Sequence, residues 1–250
     1  MAERVNFSSP FEASRRMEEE YAAELRGLAR EIDRIVGGFP VNEDNLASYL
    51  PRIESALRRY RAGIEPWAAS TADKAVNRLN DMNKRAWAAH SRNLSKRMRE
   101  HIQEADIARV IADYKEEQAA FIGDVITDAA DRVAKLQDDV LLRGKRASVI
   151  AKELEATGKV SASRATLIAR TEVARTSNGL TRARAEYVGS ESYTWRTARD
   201  GDVRLSHREM EGREVSYAVA PLLSDNTSTH AGEIYNCRCW QEPNIPDSYF

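Results

Sequence analysis

Two cysteines and two histidines near the end of the chain have the types and spacing of metal ligands. Cys237 and Cys239 form a C-x-C pair, and His207 and His230 precede them. Two imidazoles and two thiolates are a suitable donor set for tetrahedral zinc, although C-x-x-C is the commoner spacing. The sequence therefore predicts a zinc site at these four side chains. The alternative is that the cysteines alternate along a strand and the histidines are surface or hydrogen-bonding residues.

Two catalytic alternatives use the same part of the chain. One is a nucleophile pair of either cysteine with either histidine, but no nucleophile-family signature surrounds the cysteines. The other is a metal-dependent nuclease or hydrolase acting on DNA, in which Asp200, Asp202 and His207 hold a hydrated cation. No second acidic cluster follows, and Asp200-Gly201-Asp202 is also typical of a tight turn. Because no strong catalytic signature is present, we do not expect an enzyme.

Residues 167–187 form a charged predicted helix just before this region. Arg170 and Glu172 are two residues apart, so they point to nearly opposite sides and cannot pair with each other. Glu172 and Arg175 are three apart and could pair. Either this is a solvated face, or Arg170 or Glu172 contacts the C-terminal lobe and fixes how the helix docks. Gly179 inside the helix costs ~1 kcal/mol relative to alanine, which predicts close helix packing.

The chain before Gly189 has the apolar periodicity of helices, after a predicted flexible arm at residues 1–11. Between Met17 and Ile35, apolar residues recur at steps of three and four, which places them on one helix face. A second helix is predicted to begin at Pro51. One or two long helices are predicted over residues 67–143, with a break near 103–106. A short helix closed by Gly158 and a longer helix capped by Ser161 then follow.

The character of the sequence changes after Gly189. Strands are predicted at Tyr193–Thr197, Glu214–Val219 and Tyr235–Trp240, with a short helix within Val203–Glu211 and an exposed loop over 221–232. The predicted fold class is α+β, with a long helical N-terminal region followed by a small mixed α/β C-terminal lobe. We place the domain boundary between residues 145 and 146, so that the domains are 1–145 and 146–250.

The composition disfavours some classes of protein. The chain has 38 basic and 39 acidic residues, and this near-neutral balance disfavours a general polyanion binder. Arg175, Arg182 and Arg184 could contact DNA phosphates, but the acidic residues Glu172 and Glu186 lie among them. No run approaches the ~18 apolar residues of a membrane span, and the N-terminus lacks a signal-peptide stretch. We therefore expect a protein made in the cytoplasm.

Six short blocks in a fixed order resemble the phage Mu F-like head morphogenesis family. They are I-A-R-T-E at 168–172, Y-T-W at 193–195, D-x-x-V-R-x-x-H at 200–207, the glycine at 212, H-x-G-E at 230–233 and N-C-R-C at 236–239. Their order and spacing are more specific than any block alone, and the resemblance covers about residues 147–243. The sequence departs from the family at Ala231, where members often have proline.

The resemblance implies a minor capsid protein of a tailed bacteriophage that acts in head morphogenesis and virion assembly. It implies association with the portal protein and capsid proteins, location in the phage head after synthesis in the host cytoplasm, and packaging with DNA. Residues 1–145 would then dock on the portal or capsid. For the shared motif positions we expect structural or metal-binding roles rather than catalysis. These structural motif positions are Arg170, Glu172, Trp195, Asp200, Arg204 and Gly212.

Overall fold

The computed structural model describes residues 11–12, 14–91 and 96–249. Seven helices of nine residues or more occupy the described chain before residue 188, and they carry the buried apolar stripes that the periodicity predicts. They are α1 (Arg15–Gly37), α2 (Leu46–Gly63), α3 (Glu65–His90), α4 (Lys96–Glu104), α5 (Ala108–Leu141), α6 (Ala147–Glu155) and α7 (Thr157–Tyr187). None of the described helices combines the length and the hydropathy that a bilayer span requires.

A small sheet follows the helices, so the predicted α+β class is confirmed. The later elements are β1 (Ser192–Arg196), α8 (Leu205–Arg208), β2 (Glu214–Ser216), β3 (Trp240–Pro243) and a short 3-10 helix, Asp247–Tyr249. The sheet order is β2-β1-β3, and both pairings are antiparallel. Tyr193 and Trp195 alternate with less buried residues along β1, so they enter the core. The central strand therefore supplies two large aromatic side chains to the core beside the sheet.

The described residues divide into two compact units, each built from separate segments. The first, here the lobe unit, contains the described residues of Met1–Met17, Ala75–Tyr114 and Arg170–Phe250. The second, here the helical unit, contains Glu18–Lys74 and Lys115–Ala169. These units do not follow the predicted division between residues 145 and 146, because α3, α5 and α7 each contribute residues to both. The domain boundary predicted from the sequence stays a prediction.

The ends of three helices differ from the prediction. The helix α2 begins before Pro51 rather than at it, because the buried Leu46 and Leu50 continue the apolar stripe across the proline. Gly158 lies in the first turn of α7 instead of closing α6, and Ser161 is inside the helix rather than its cap. A Cβ at Gly158 would overlap the Asp33 carboxylate, so this glycine permits a close contact within the helical unit.

The described residues of 67–143 contain three helices, α3, α4 and α5, rather than the predicted one or two. Two other predictions about the helices are confirmed. The break between α4 and α5 covers residues 105–107, close to the predicted position. Gly179 does mark close packing, since a Cβ there would overlap the Tyr114 hydroxyl. The predicted flexible arm at residues 1–11 lies outside the described residues except for Phe11. That residue is buried in the lobe unit, with its ring 5.2 Å from the Trp87 ring in an edge-on arrangement.

The third strand begins later than the sequence predicts. The prediction was Tyr235–Trp240, whereas β3 runs from Trp240 to Pro243. Asn236 has a φ of 56°, in the left-handed region, which is incompatible with a strand at that position. The strand predicted at Glu214–Val219 likewise shortens to Glu214–Ser216. The segment with both cysteines is therefore a loop that leads into β3.

Candidate metal centre

His207, Cys237 and Cys239 meet in a buried cluster of the lobe unit. Their ligand atoms all lie within 4.8 Å of one another. The Nδ1 atom of His207 is 3.3 Å from Cys237 Sγ and 3.4 Å from Cys239 Sγ. One imidazole and two sulfurs directed at one point are suitable ligands for a borderline-soft metal ion. The structure thus brings together three of the four predicted ligands, and this cluster can hold a metal ion.

The short helix α8 presents His207 to the two sulfurs. The Trp195 ring packs against the His207 ring, with centroids 5.4 Å apart and planes at 90°. Gly212 ends the turn that follows α8 with a φ of 78°, and its N–H donates to the Trp195 carbonyl at 2.8 Å. Trp195 and Gly212 therefore tie the helix back to β1 and orient the imidazole, which gives these two motif residues a structural role.

The two sulfurs differ in their protonation. The hydrogen bond from the Cys239 thiol is opposed by burial and assisted by His207, and it holds the pKa of Cys237 well below its usual value. The backbone N–H of Cys239 also donates to Cys237 Sγ at 3.4 Å. The hydrogen bond to Cys237, together with burial, raises the pKa of Cys239. The contact between the two sulfurs thus favours the charged form of Cys237 and the neutral form of Cys239, and a metal ion that binds both as thiolates must displace the remaining proton.

A small cavity of about 10 Å³ adjoins the cluster. This is about the space that one water molecule or ion occupies. The cavity is too small for an organic substrate. Its lining residues are Asp202, Val203, Arg204, His207, Asn236, Cys237, Arg238 and Cys239.

His230 lies apart from the cluster. Its Nδ1 atom is 3.2 Å from the Tyr193 hydroxyl, which also accepts a hydrogen bond from the Ala231 N–H at 3.2 Å. Burial lowers the pKa of His230, so the neutral imidazole is favoured there. This environment matches the hydrogen-bonding alternative for His230.

Asp200 and Asp202 are engaged by an arginine between the two cysteines. The Nη2 atom of Arg238 donates to Asp200 Oδ1 at 2.6 Å and to Asp202 Oδ2 at 3.0 Å. The Asp202 N–H also donates to Asp200 Oδ1 at 3.1 Å, as in the tight-turn interpretation. The carboxylates thus pair with Arg238, a residue for which no sequence signal indicated this role. This arrangement gives no support to a nuclease centre with His207.

The helix α7 contacts the loop that precedes Cys237. Arg170 Nη1 donates to Asn236 Oδ1 at 2.8 Å, and the Asn236 N–H donates to Thr171 Oγ1 at 3.0 Å. These bonds support the left-handed conformation of Asn236. The predicted contact of Arg170 with the C-terminal lobe is confirmed. Glu172, its predicted alternative, is buried with 3% of its surface exposed and so is not part of a solvated face.

A second arginine holds the neighbouring residue of the same loop. Arg204 Nη2 donates to the Tyr235 carbonyl at 3.0 Å, and its guanidinium lies 5.1 Å from the centre of the Tyr235 ring. Arg204 is also the residue just before α8, the helix that carries His207. This motif residue therefore joins the histidine side of the cluster to the cysteine side.

Asn178, in the middle of α7, joins this helix directly to the cysteine loop and β3. Its Nδ2 atom donates to the carbonyls of Ala174 at 2.8 Å and Cys239 at 3.4 Å. Its Oδ1 atom accepts from the Gln241 N–H at 2.8 Å. Gly179, the next residue, predicts close packing from the sequence, but no local pattern indicates a role for Asn178. A buried amide that satisfies backbone groups of another segment is a positioning residue for Cys239.

Replacing Asn178 with alanine should lower the free energy of unfolding by about 1–3 kcal/mol, because the buried Gln241 N–H loses its acceptor. Denaturant unfolding of the purified protein measures the change. Ser163→Ala is the matched control, since Ser163 is exposed on the same helix. A cost for Asn178→Ala no larger than that of the control would contradict the positioning role.

Glu211 secures the end of β1 and predicts a dependence of stability on pH. Its Oε2 accepts from the N–H and the hydroxyl of Thr197, both at 2.7 Å, and its Oε1 accepts from Arg199 Nη2 at 2.8 Å. Burial acts to raise the pKa of Glu211, but the bonds from Arg199 and Thr197 outweigh it, so the net pKa is lowered. The stabilisation is therefore complete above the unfolded pKa of about 4.5 and is lost as pH falls through the folded value.

The measurement is the difference in melting temperature between the wild type and Glu211→Gln as pH is lowered. We expect the difference to be largest near pH 6–7 and to shrink as pH falls below about 4.5. Asp247→Asn, at an exposed position of the lobe unit, controls for general acid effects. A difference that stays constant down to pH 3 would show that the Glu211 charge contributes nothing.

Comparison with known proteins relates this region to one family. Residues 131–242 match the family described as Phage Mu protein F like protein. The match contains every motif residue discussed above and begins earlier than the predicted resemblance, within α5. An uncharacterized protein of Haemophilus influenzae is 35% identical over 118 residues, which are 47% of this chain and 26% of the relative. The chain thus spans about a quarter of that relative's length. No solved structure matches the chain significantly.

Proposed function

We propose that this chain, whose residues 131–242 form a phage Mu F-like region, is a minor capsid protein that acts in bacteriophage head morphogenesis. The observation that carries the proposal is the family match, because it covers the buried cluster together with the residues that position it. Its partners are the portal protein and the capsid proteins. Its place is the phage head, which it joins after synthesis in the host cytoplasm.

A structural role of the lobe unit agrees with what the motif residues do. Arg170 and Arg204 bind the loop that precedes Cys237, and Gly212 ties α8 to β1. All three contacts fix backbone segments, and the adjoining cavity of about 10 Å³ leaves no room for an organic substrate. We therefore assign the cluster to the stability of the lobe and not to catalysis.

Zinc is the metal that we propose for the cluster. Typical Zn–S and Zn–N bonds of about 2.3 and 2.0 Å in a tetrahedron separate nitrogen and sulfur by about 3.5 Å. The observed separations between His207 Nδ1 and the two sulfurs are 3.3 and 3.4 Å. His207, Cys237 and Cys239 would supply three ligands, and water in the adjoining cavity is the simplest fourth. Bound zinc would cross-link α8 to the cysteine loop.

The proposed docking surface for the portal and capsid lies within residues 1–145. Among the described residues, the helices of this part have charged outer faces, where exposed pairs such as Arg58–Glu54 and Lys96–Glu100 lie one helical turn apart. Helices of this kind can occupy grooves of a partner surface. A minor component held in this way could also remain with the packaged DNA.

The test is deletion of the gene from a phage or prophage that carries it. We expect fewer infectious particles, restored by the wild-type gene supplied in trans, and a few copies of the protein in purified heads by quantitative mass spectrometry. Co-expression with the portal protein of the same phage should give a complex in size-exclusion chromatography. Normal heads without the protein, or its absence from purified wild-type heads, would contradict the proposal.

A further inference from the structure

A larger cavity of about 590 Å³ lies in the lobe unit and shares no residue with the metal centre. Cavities of about 300–1,000 Å³ are the usual size for sites that hold small organic molecules. The walls come from α3 and the residue after it, α4, the connection at 105–107, the start of α5 and one residue of α7. The lining residues are Asn80, Lys84, Arg85, Ala88, Ser91, Arg99, Ile102, Gln103, Ala105, Asp106, Ile107, Ala108, Ile111 and Arg184.

Arg184 is a buried cation at the wall of this cavity. Only 2% of its surface is exposed, so it is not the DNA-facing surface arginine considered from the sequence. Its Nη1 and Nη2 atoms each donate to an amide oxygen at 2.6 Å, one from Asn83 and one from Asn80. Neither partner is charged, and no described carboxylate lies within ion-pair distance of Arg184. A buried charge of this kind costs free energy unless an anion accompanies it.

Three other side chains of the lining are cationic, as Arg184 is. Lys84, Arg85 and Arg99 are exposed at the cavity, and none forms an ion pair within the described chain. The lining contains one carboxylate, Asp106, whose Oδ1 accepts from the Ala108 N–H at the start of α5. Together with Arg184, the lining therefore has four cationic side chains and one anionic side chain, and a net positive charge remains at the cavity.

Most of the remaining lining is apolar, apart from Asn80, Ser91 and Gln103. Its apolar residues are the alanines and isoleucines at positions 88, 102, 105, 107, 108 and 111. A hydrated inorganic ion would leave this surface without contacts, and a duplex phosphate cannot reach an arginine that is almost fully buried. A ligand that matches both features has one anionic group on an apolar body.

We propose that this cavity binds an apolar carboxylate, with its carboxylate at the Arg184 guanidinium and its hydrocarbon body against Ile102 and Ile107. The planar guanidinium keeps N–H groups free beyond those used by the two asparagines, and a carboxylate can accept two of them side by side. The same chemistry is available from a free carboxylic acid and from the C-terminal leucine of a peptide. The assignment does not depend on a role in phage heads.

The test is calorimetric titration of the full chain with octanoate, with octanol as the neutral probe of the same length. We expect one octanoate per chain and at least tenfold weaker binding of octanol. A peptide ending in a leucine carboxylate, compared with its amide, distinguishes the sources: tighter binding of the acid than of octanoate indicates a protein chain. Failure of all carboxylates to bind, or equal binding of octanoate and octanol, would overturn the proposal.

Two kinds of variant place the site without removing the buried arginine. Ala108→Phe introduces a ring at the wall and should weaken octanoate binding at least tenfold. Ala112→Phe is the matched control, because Ala112 is exposed on the same helix and outside the lining. Lys84→Gln combined with Arg99→Gln should weaken octanoate but not octanol. Unchanged octanoate affinity in Ala108→Phe, with the fold intact by circular dichroism, would contradict the location.

Discussion

Replacing Cys237 with serine is expected to abolish metal binding and to lower the free energy of unfolding by about 4 kcal/mol or more. The reason is that metal binding and folding are coupled, and structural zinc contributes about 10–16 kcal/mol of apparent binding free energy in small zinc peptides. Cys237 faces both His207 Nδ1 and Cys239, so its loss removes one of the three assembled ligands. Elemental analysis after dialysis and denaturant unfolding are the two measurements.

Two comparisons separate metal loss from a packing defect. Wild-type protein treated with a strong chelator should become as unstable as Cys237→Ser, whereas the variant itself should not respond to the chelator. His230→Ala should keep one metal ion per chain, because His230 contacts Tyr193 instead of the cluster. A folded wild-type protein without metal would reject the zinc centre, and loss of metal in His230→Ala would restore the four-ligand prediction.

Replacing Gly232 with alanine is expected to cost about 3 kcal/mol or more of unfolding free energy. Gly232 has a φ of 81°, where a side chain costs about 1–3 kcal/mol. A Cβ would also overlap Asn178 Nδ2 and lie 2.9 Å from the Cys239 carbonyl oxygen. The substitution therefore displaces the asparagine that positions the cysteine loop. Chemical denaturation measures the loss, and metal content should fall with it.

Three further variants resolve the two contributions. Gly201→Ala has no atom within 4 Å and no positive φ, so its cost should stay within about 0.5 kcal/mol. Gly212→Ala has a φ of 78° and also open space, so it reports the backbone strain alone. When Gly232→Ala is combined with Asn178→Ala, the overlap disappears. The loss of unfolding free energy in the double variant should therefore be smaller than the sum of the losses in the two single variants. If the two losses add fully, the overlap with Asn178 does not contribute to the destabilisation by Gly232→Ala.

Local sequence signals were enough to predict the class of fold and part of the centre. Apolar residues that recur three and four positions apart indicate a helix. Most of α1 to α7 and the break near residue 105 were therefore predictable from this periodicity. The two sulfurs were predictable because a C-x-C pair places both donors on one short segment. Arg170 was predictable as one of two charged residues of α7 proposed to contact the C-terminal lobe, and its hydrogen bond to Asn236 makes such a contact.

The tertiary structure decided which distant groups meet. His207 and His230 look equivalent in sequence, but the packing of Trp195 brings only the first to the sulfurs, while Tyr193 engages the second. Asp200 and Asp202 pair with Arg238, and Arg184 is buried against two asparagines about a hundred residues earlier. Local sequence patterns do not predict such partners, because the two members of each pair are distant in sequence and meet only in the folded chain. The sequence by itself therefore determined the helices and the donor types, and the fold alone determined the ligands, the counter-charges and the uncompensated buried arginine.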